Sequence, residues 1–148
     1  HLRGNPLEWR AKPAFAHPRP AAMPAFTHHI FVCCNQRSPG HRRGCCDPDG
    51  SEALRNAMKM EVKRRGLGPL VRANRSGCLE QCEHGPTVAI YPQGIFYGGV
   101  TLDDVPRIIE QTVIGGQVLD DLRIDENCLN NPACEHIRAR SATGDNSA

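Results

Sequence analysis

The sequence predicts a small α/β domain with one mixed sheet, in the order β-α-β, then a β-hairpin, then a helix. Three observations carry this reading. Two short β-rich runs, residues 27–33 (THHIFVC) and 70–73, flank a segment of helical periodicity. Two further runs, 87–91 (TVAIY) and 95–97 (IFY), are joined by Pro92-Gln93-Gly94, a hairpin signal. A second helical pattern then runs from Thr101 to the Gly115-Gly116 stop.

Each element has a local cause. In the first helix Leu54, Ala57, Met58 and Val62 recur at helical intervals. Asp49 and Glu52 stand at capping-box spacing before it, and Gly66 ends it. In the second helix Thr101 and Asp104 have the same capping spacing, with Pro106 near the first turn. Leu102, Val105, Ile108, Ile109 and Thr112 form its expected inner face. A β-α-β unit makes its two strands parallel, so the loops that follow them, 34–50 and 74–86, leave the same edge of the sheet. Open α/β sheets place their ligands at that edge.

The chain has 148 residues, enough for one domain of the size read here, at residues 25–124. Residues 1–22 carry four prolines and no apolar run. With a fifth proline at position 24, residues 1–24 read as a disordered or non-native extension, with Met23 a sensible start, and residues 125–148 read as a polar tail. A net charge of +2 argues against a nucleic-acid or anionic-membrane binder. No run of residues is apolar enough to span a bilayer. Without an export signal the chain is expected in a reducing cytoplasm, where spaced cysteines are metal or redox ligands before they are disulfides.

Six of the eight cysteines fall in or beside the two loops: Cys33, Cys34, Cys45, Cys46, Cys78 and Cys82. Neighbours on a strand point to opposite faces, so one cysteine from each adjacent pair joins Cys78 and Cys82 to make four thiolates. Four thiolates suit zinc or an iron–sulfur cluster. Only one short pair, Cys78-x₃-Cys82, is present where zinc sites usually have two, and this spacing favours iron–sulfur. No Cys-x-x-Cys occurs, which disfavours thiol–disulfide exchange.

The stretch His29-Ile-Phe-Val-Cys33, followed by Arg37, Pro39-Gly40-His41, Gly44 and Cys46, resembles the thioredoxin-like [2Fe–2S] ferredoxins of the Shethna-protein type. Gly77-Cys78-x₃-Cys82, Gly85-Pro86, Tyr91-Pro92-x-Gly94 and Tyr97-Gly98 match the same family in order and spacing, so the resemblance spans about residues 27–124. It implies a thioredoxin-like fold, a [2Fe–2S] cluster on Cys33, Cys46, Cys78 and Cys82, and a one-electron carrier rather than an enzyme. It further implies redox partner proteins as donor and acceptor, and a possible homodimer. Cys34 and Cys45 depart from the family pattern as extra thiols. The alternatives are a zinc-binding structural or regulatory module, or the cluster-bearing subunit of a larger NADH-dependent oxidoreductase. The long first inter-cysteine loop argues against the latter.

Several loop residues carry secondary expectations. Gly40, Gly44, Gly77 and Gly85 allow close backbone approach to the ligands. Arg37, Arg42, Arg43, Arg72 and Arg75 either tune the potential and dock a partner or form a solvated charged face. His41 and His84 are possible substitute ligands, and Pro86 is a candidate cis-proline. In the tail, Cys128, Cys134 and His136 are able to bind zinc or to pair as thiols, but read foremost as exposed spectators.

Overall fold

The computed structural model describes residues 26–131 and 133–136. The expectations for residues 1–24 and for the end of the tail therefore lie outside the described residues. Strand β1 (His28–Cys33) alternates as its sequence demands, with Ile30 and Val32 buried on one face and His29 and Phe31 on the other. Helix α1 (Ala53–Arg64) buries Met58 and Val62 against that face, and Gly66, at φ +69°, turns the chain out of it. Strand β2 (Val71–Ser76) then runs parallel to β1, in register from His28↔Val71 to Cys33↔Ser76. Strands β3 (Val88–Tyr91) and β4 (Ile95–Tyr97) add antiparallel, so the sheet order is β2-β1-β3-β4.

The final helical stretch opens with a 3₁₀ turn, Leu102–Asp104. It continues as a short helix α2 (Val105–Arg107) and ends as a π-helical segment, Ile108–Ile114. Its side chains and those of α1 close one core on a single face of the sheet: Ile30, Val32, Met58, Val88, Ile90, Tyr97, Ile108 and Ile109 are all essentially inaccessible. Tyr97 ties this core together. Its hydroxyl lies 2.7 Å from Thr112 Oγ1 and accepts the Leu119 N–H at 3.0 Å.

Four expectations need correction. Strand β2 extends to Ser76, past the apolar run, because an edge strand needs only one hydrogen-bonded neighbour and its polar Arg72 and Arg75 face solvent. The Asp49–Glu52 capping box does not form. Glu52 sits at φ 54°, and its N–H is held instead by the Asp47 carboxylate at 3.2 and 3.3 Å. The Thr101–Asp104 box does form, but Leu102, inside the 3₁₀ turn, faces outward at 54% exposure, and Val113 joins the inner face. Finally, the tail does not leave the domain at Ile124. That residue donates its N–H to Phe96 O at 2.9 Å, and the chain turns back from Asp125 to Asn131.

Candidate metal centre

Because β1 and β2 are parallel and end level, at Cys33 and Ser76, both cysteine loops start side by side. Cys33 is pinned by its N–H to Thr87 O at 3.0 Å, and Cys34 by its N–H to Ser76 O at 2.9 Å. The second loop closes through a 3₁₀ turn, Cys82–His84, and the Gly85–Pro86 peptide is cis. These constraints gather Cys33, Cys46 and Cys82 in one buried cluster with Cys78 and Leu79 packed at its side. Cys78 Sγ and Cys82 Sγ stand 3.4 Å apart.

The other two loop thiols are engaged elsewhere. Cys34 Sγ donates to Val32 O at 3.4 Å, and burial, then Glu52 and Asp47, push its thiol up, away from the ligating thiolate. Cys45 Sγ accepts the Arg37 N–H at 3.1 Å and donates to Asn35 O at 3.4 Å. Within the buried group, Cys33 and Cys46 are hydrogen-bonded to each other. The hydrogen bond from Cys46 holds the Cys33 thiol well below its ordinary range, while the same bond and burial push Cys46 up.

The surroundings suit an anionic, sulfur-rich group. Arg37 Nη2 reaches Cys78 Sγ at 3.5 Å and Cys82 Sγ at 3.6 Å, and the hydrogen bond to Cys82, then that to Cys78, raises its own pKa. Arg37 Nε is buried with no hydrogen-bond partner among the described residues. The Glu80 N–H points at Cys78 Sγ at 3.3 Å. Of the four glycines expected to admit the ligands, Gly85 does so through space. A Cβ there would lie 2.8 Å from Cys46 Sγ and 3.1 Å from Cys82 O, whereas one at Gly77 would meet nothing within 4 Å. Soft donors, inward N–H groups and a paired cation fit a [2Fe–2S] cluster.

The arginines divide by position. Arg37 faces the sulfurs. Arg43 is held between Glu80, at 3.0 Å, and Glu83, at 3.3 Å, and so latches the first loop to the second. Arg75 pairs with Glu52 at 2.6 Å, and Arg72 lies over the Phe26 ring at 5.6 Å. Of the five, only Arg42 lies in the exposed first loop without a partner among the described residues. Both histidines have partners outside the group of Cys33, Cys46, Cys78 and Cys82. His41 Nδ1 accepts the Arg43 N–H at 3.2 Å, and His84 Nε2 lies 3.6 Å from Cys134 Sγ in the tail. Cys134 is 3% exposed, not the free surface thiol that its polar neighbours suggest. Sequence reasoning missed the bond from the Glu52 N–H to Asp47, the Arg43 latch and the partnership of His84 with the tail. Only the Cys-x₅-Cys-x-His run hinted at the last of these.

No family model matches the chain. Individual relatives do. A protein named "Ferredoxin, 2Fe-2S" from Clostridium pasteurianum is 39% identical over 97 residues, covering 66% of this chain and 95% of the relative. The chain belongs to the thioredoxin-like [2Fe–2S] ferredoxins. A second relative of the same name, from Aquifex aeolicus, is 34% identical over 99 residues, covering 66% of this chain and 89% of the relative. The crystal structure of the thioredoxin-like [2Fe–2S] ferredoxin from Aquifex aeolicus superposes with a TM-score of 0.63 at 34% identity. It covers 69% of this chain and 99% of that one. The family's fold is thus the α/β arrangement built above. No helix among the described residues is long and apolar enough to cross a membrane.

Proposed function

We propose that this ferredoxin is a one-electron carrier that holds a single [2Fe–2S] cluster on Cys33, Cys46, Cys78 and Cys82, and that it delivers electrons to partner proteins without catalysing a reaction itself. The observation that carries the assignment is the convergence of Cys33, Cys46 and Cys82 in one buried group, with Cys78 Sγ 3.4 Å from Cys82 Sγ. When bound, the cluster accepts and returns one electron. The chain's part is to make that electron easy to place and to keep water away. Arg37 offers positive charge at Cys78 and Cys82, the Glu80 N–H offers a dipole to Cys78, and the Arg43 latch keeps the two loops closed over the site. Exposed Arg42 is the charge available to steer a redox partner, an effect on encounter rate that salt screens.

Serine substitution tests the ligands one at a time. Cys33→Ser, Cys46→Ser, Cys78→Ser and Cys82→Ser should each lose or alter the visible absorption of the anaerobically purified protein, while Cys34→Ser and Cys45→Ser keep it. The unsubstituted protein should hold two irons and two acid-labile sulfides per chain and become paramagnetic on one-electron reduction. Stoichiometric zinc without labile sulfide, or bleaching by Cys34→Ser and not by Cys33→Ser, would refute the assignment.

A further inference from the structure

A second group of soft ligands lies beyond the sulfur cluster. His84 ends the 3₁₀ turn that carries Cys82, and Cys128, Cys134 and His136 come from the returning tail. One ligand atom from each of the four lies within 4.8 Å of all the others. Cys134 Sγ is 3.3 Å from His136 Nδ1 and 3.6 Å from His84 Nε2, and Cys128 Sγ is 3.6 Å from His136 Nδ1. The two imidazole rings are 4.6 Å apart between centroids.

These distances have a specific meaning. Zinc holds thiolate sulfur at about 2.3 Å and imidazole nitrogen at about 2.0–2.1 Å in a tetrahedron, which sets each S···N edge at about 3.6 Å. The three S···N separations fall close to that edge. A single thiol–imidazole hydrogen bond would explain one of them, not three that share atoms. Two thiolates with two neutral imidazoles also cancel the charge of a divalent cation, leaving no net charge at the site.

The fold around the group is built to hold it. The Cys128 and Leu129 N–H groups both bond to Asp125 O, Asn131 N–H bonds to Cys128 O and Cys134 N–H to Asn131 O, so successive turns carry the tail ligands. Asn131 braces these turns with its side chain, donating to Asn127 O at 2.7 Å and accepting the Ala133 N–H at 2.9 Å. Gly98 makes room on the other side. A Cβ there would stand 2.7 Å from His84 O and 3.0 Å from Ile124 Cγ1, so its absence lets the His84 turn and the root of the tail meet. Both tail cysteines are free thiols.

We propose that His84, Cys128, Cys134 and His136 form a structural zinc site, separate from the cluster cysteines, that fastens the tail to the turn carrying Cys82. All four positions are filled by protein, as in a structural and not a catalytic zinc site. The zinc site does not depend on which cysteines hold the cluster.

The test uses the full chain, purified anaerobically with its cluster and supplied with Zn(II). Zinc and iron are measured in the same samples, and the zinc environment is read by X-ray absorption at the zinc edge. One zinc per chain with a mixed shell of two sulfurs and two nitrogens is expected, alongside undiminished iron. Cys134→Ser and Cys128→Ser should abolish the zinc and His136→Ala should weaken it more than tenfold against a chelator, each with full iron. The proposal is overturned if the unsubstituted chain retains no zinc, if both serine variants retain it, or if the freshly isolated protein carries a Cys128–Cys134 disulfide. Failure of the cluster assignment would show as missing iron, so the two outcomes are distinct.

Discussion

Two residues beside the sulfurs set the properties of the site, one by what it lacks and one by its charge. Gly85 has no side chain where a Cβ would press on Cys46 Sγ at 2.8 Å and on the Cys82 carbonyl at 3.1 Å. The Cys82 carbonyl accepts the Gly85 N–H at 3.0 Å and the Cys46 sulfur is buried, so neither neighbour has free space to retreat into. Gly85→Ala should therefore fold but bind the cluster poorly, with iron and labile sulfide per chain clearly below the unsubstituted protein. Full iron content in that variant would show the crowding to be harmless. Arg37 acts through electrostatics. Its guanidinium lies against Cys78 and Cys82, two of the proposed ligands, and reduction of a cluster held there would add negative charge beside it, so the cation would favour the reduced state. Arg37→Gln is expected to lower the reduction potential by on the order of tens of millivolts, a size set by a partly solvent-screened charge a few ångströms away. Potentiometric titration of the two proteins at equal ionic strength reads the shift, and an unchanged or raised potential contradicts the role.

At the scale of elements, the π-helical segment Ile108–Ile114 is where helix and sheet are joined by polar as well as apolar atoms. Tyr97 reaches from β4 into the core at 0% exposure, and its hydroxyl serves both Thr112 Oγ1 and the Leu119 N–H. Tyr97→Phe keeps the ring's packing but leaves two buried polar groups without their partner. A loss of about 1–3 kcal/mol is expected, seen as a lower denaturation midpoint with little change in the slope. The same logic explains the capping outcomes. Asp49 and Glu52 have the spacing of a box, but a second carboxylate, Asp47, two residues earlier in the loop, reaches the Glu52 N–H first. Asp49 turns instead to the Ser51 N–H at 3.0 Å, and Glu52 is left to pair with Arg75 across the loop–strand boundary. Thr101 has no such competitor, so its box with Asp104 forms, at 2.9 Å for both the backbone and the side-chain bond.

For the whole molecule, the parallel β1–β2 pair aligns two loops at one sheet edge, and the tail then returns beside the second of them. All four strands, the core and the four proposed cluster ligands lie between Phe26 and Ile124. A chain shortened to residues 23–124 should accordingly fold and hold its full complement of iron, while retaining no zinc, because Cys128, Cys134 and His136 are gone. Metal analysis and thermal melting of the short and full chains check this. Loss of iron on shortening would mean that the tail supports the cluster itself and not only the turn beside it. The exposed charge of Arg42 belongs to this scale too, since it acts on partners at a distance and not on the fold.

Local pattern determined much of this protein. The alternation in β1, the periodicity of α1, the hairpin at Pro92-Gln93-Gly94 and the capping box at Thr101 are all short-range features, and each is present in the structure. The β-α-β order was likewise enough to bring both cysteine loops to one edge, because parallel strands admit no other arrangement of their ends. What only the tertiary structure decided is which neighbour each side chain meets across that edge. Cys34 and Cys45 cannot be told from Cys33 and Cys46 by spacing, but hydrogen bonds to Val32, Asn35 and Arg37 occupy their sulfurs. Likewise, nothing near His84 in the chain marks it as a partner of Cys134, since they are 50 residues apart and meet only because the chain folds back after Ile124. Periodicity and capping are written in contiguous residues, whereas the choice of ligand depends on packing between segments remote in sequence.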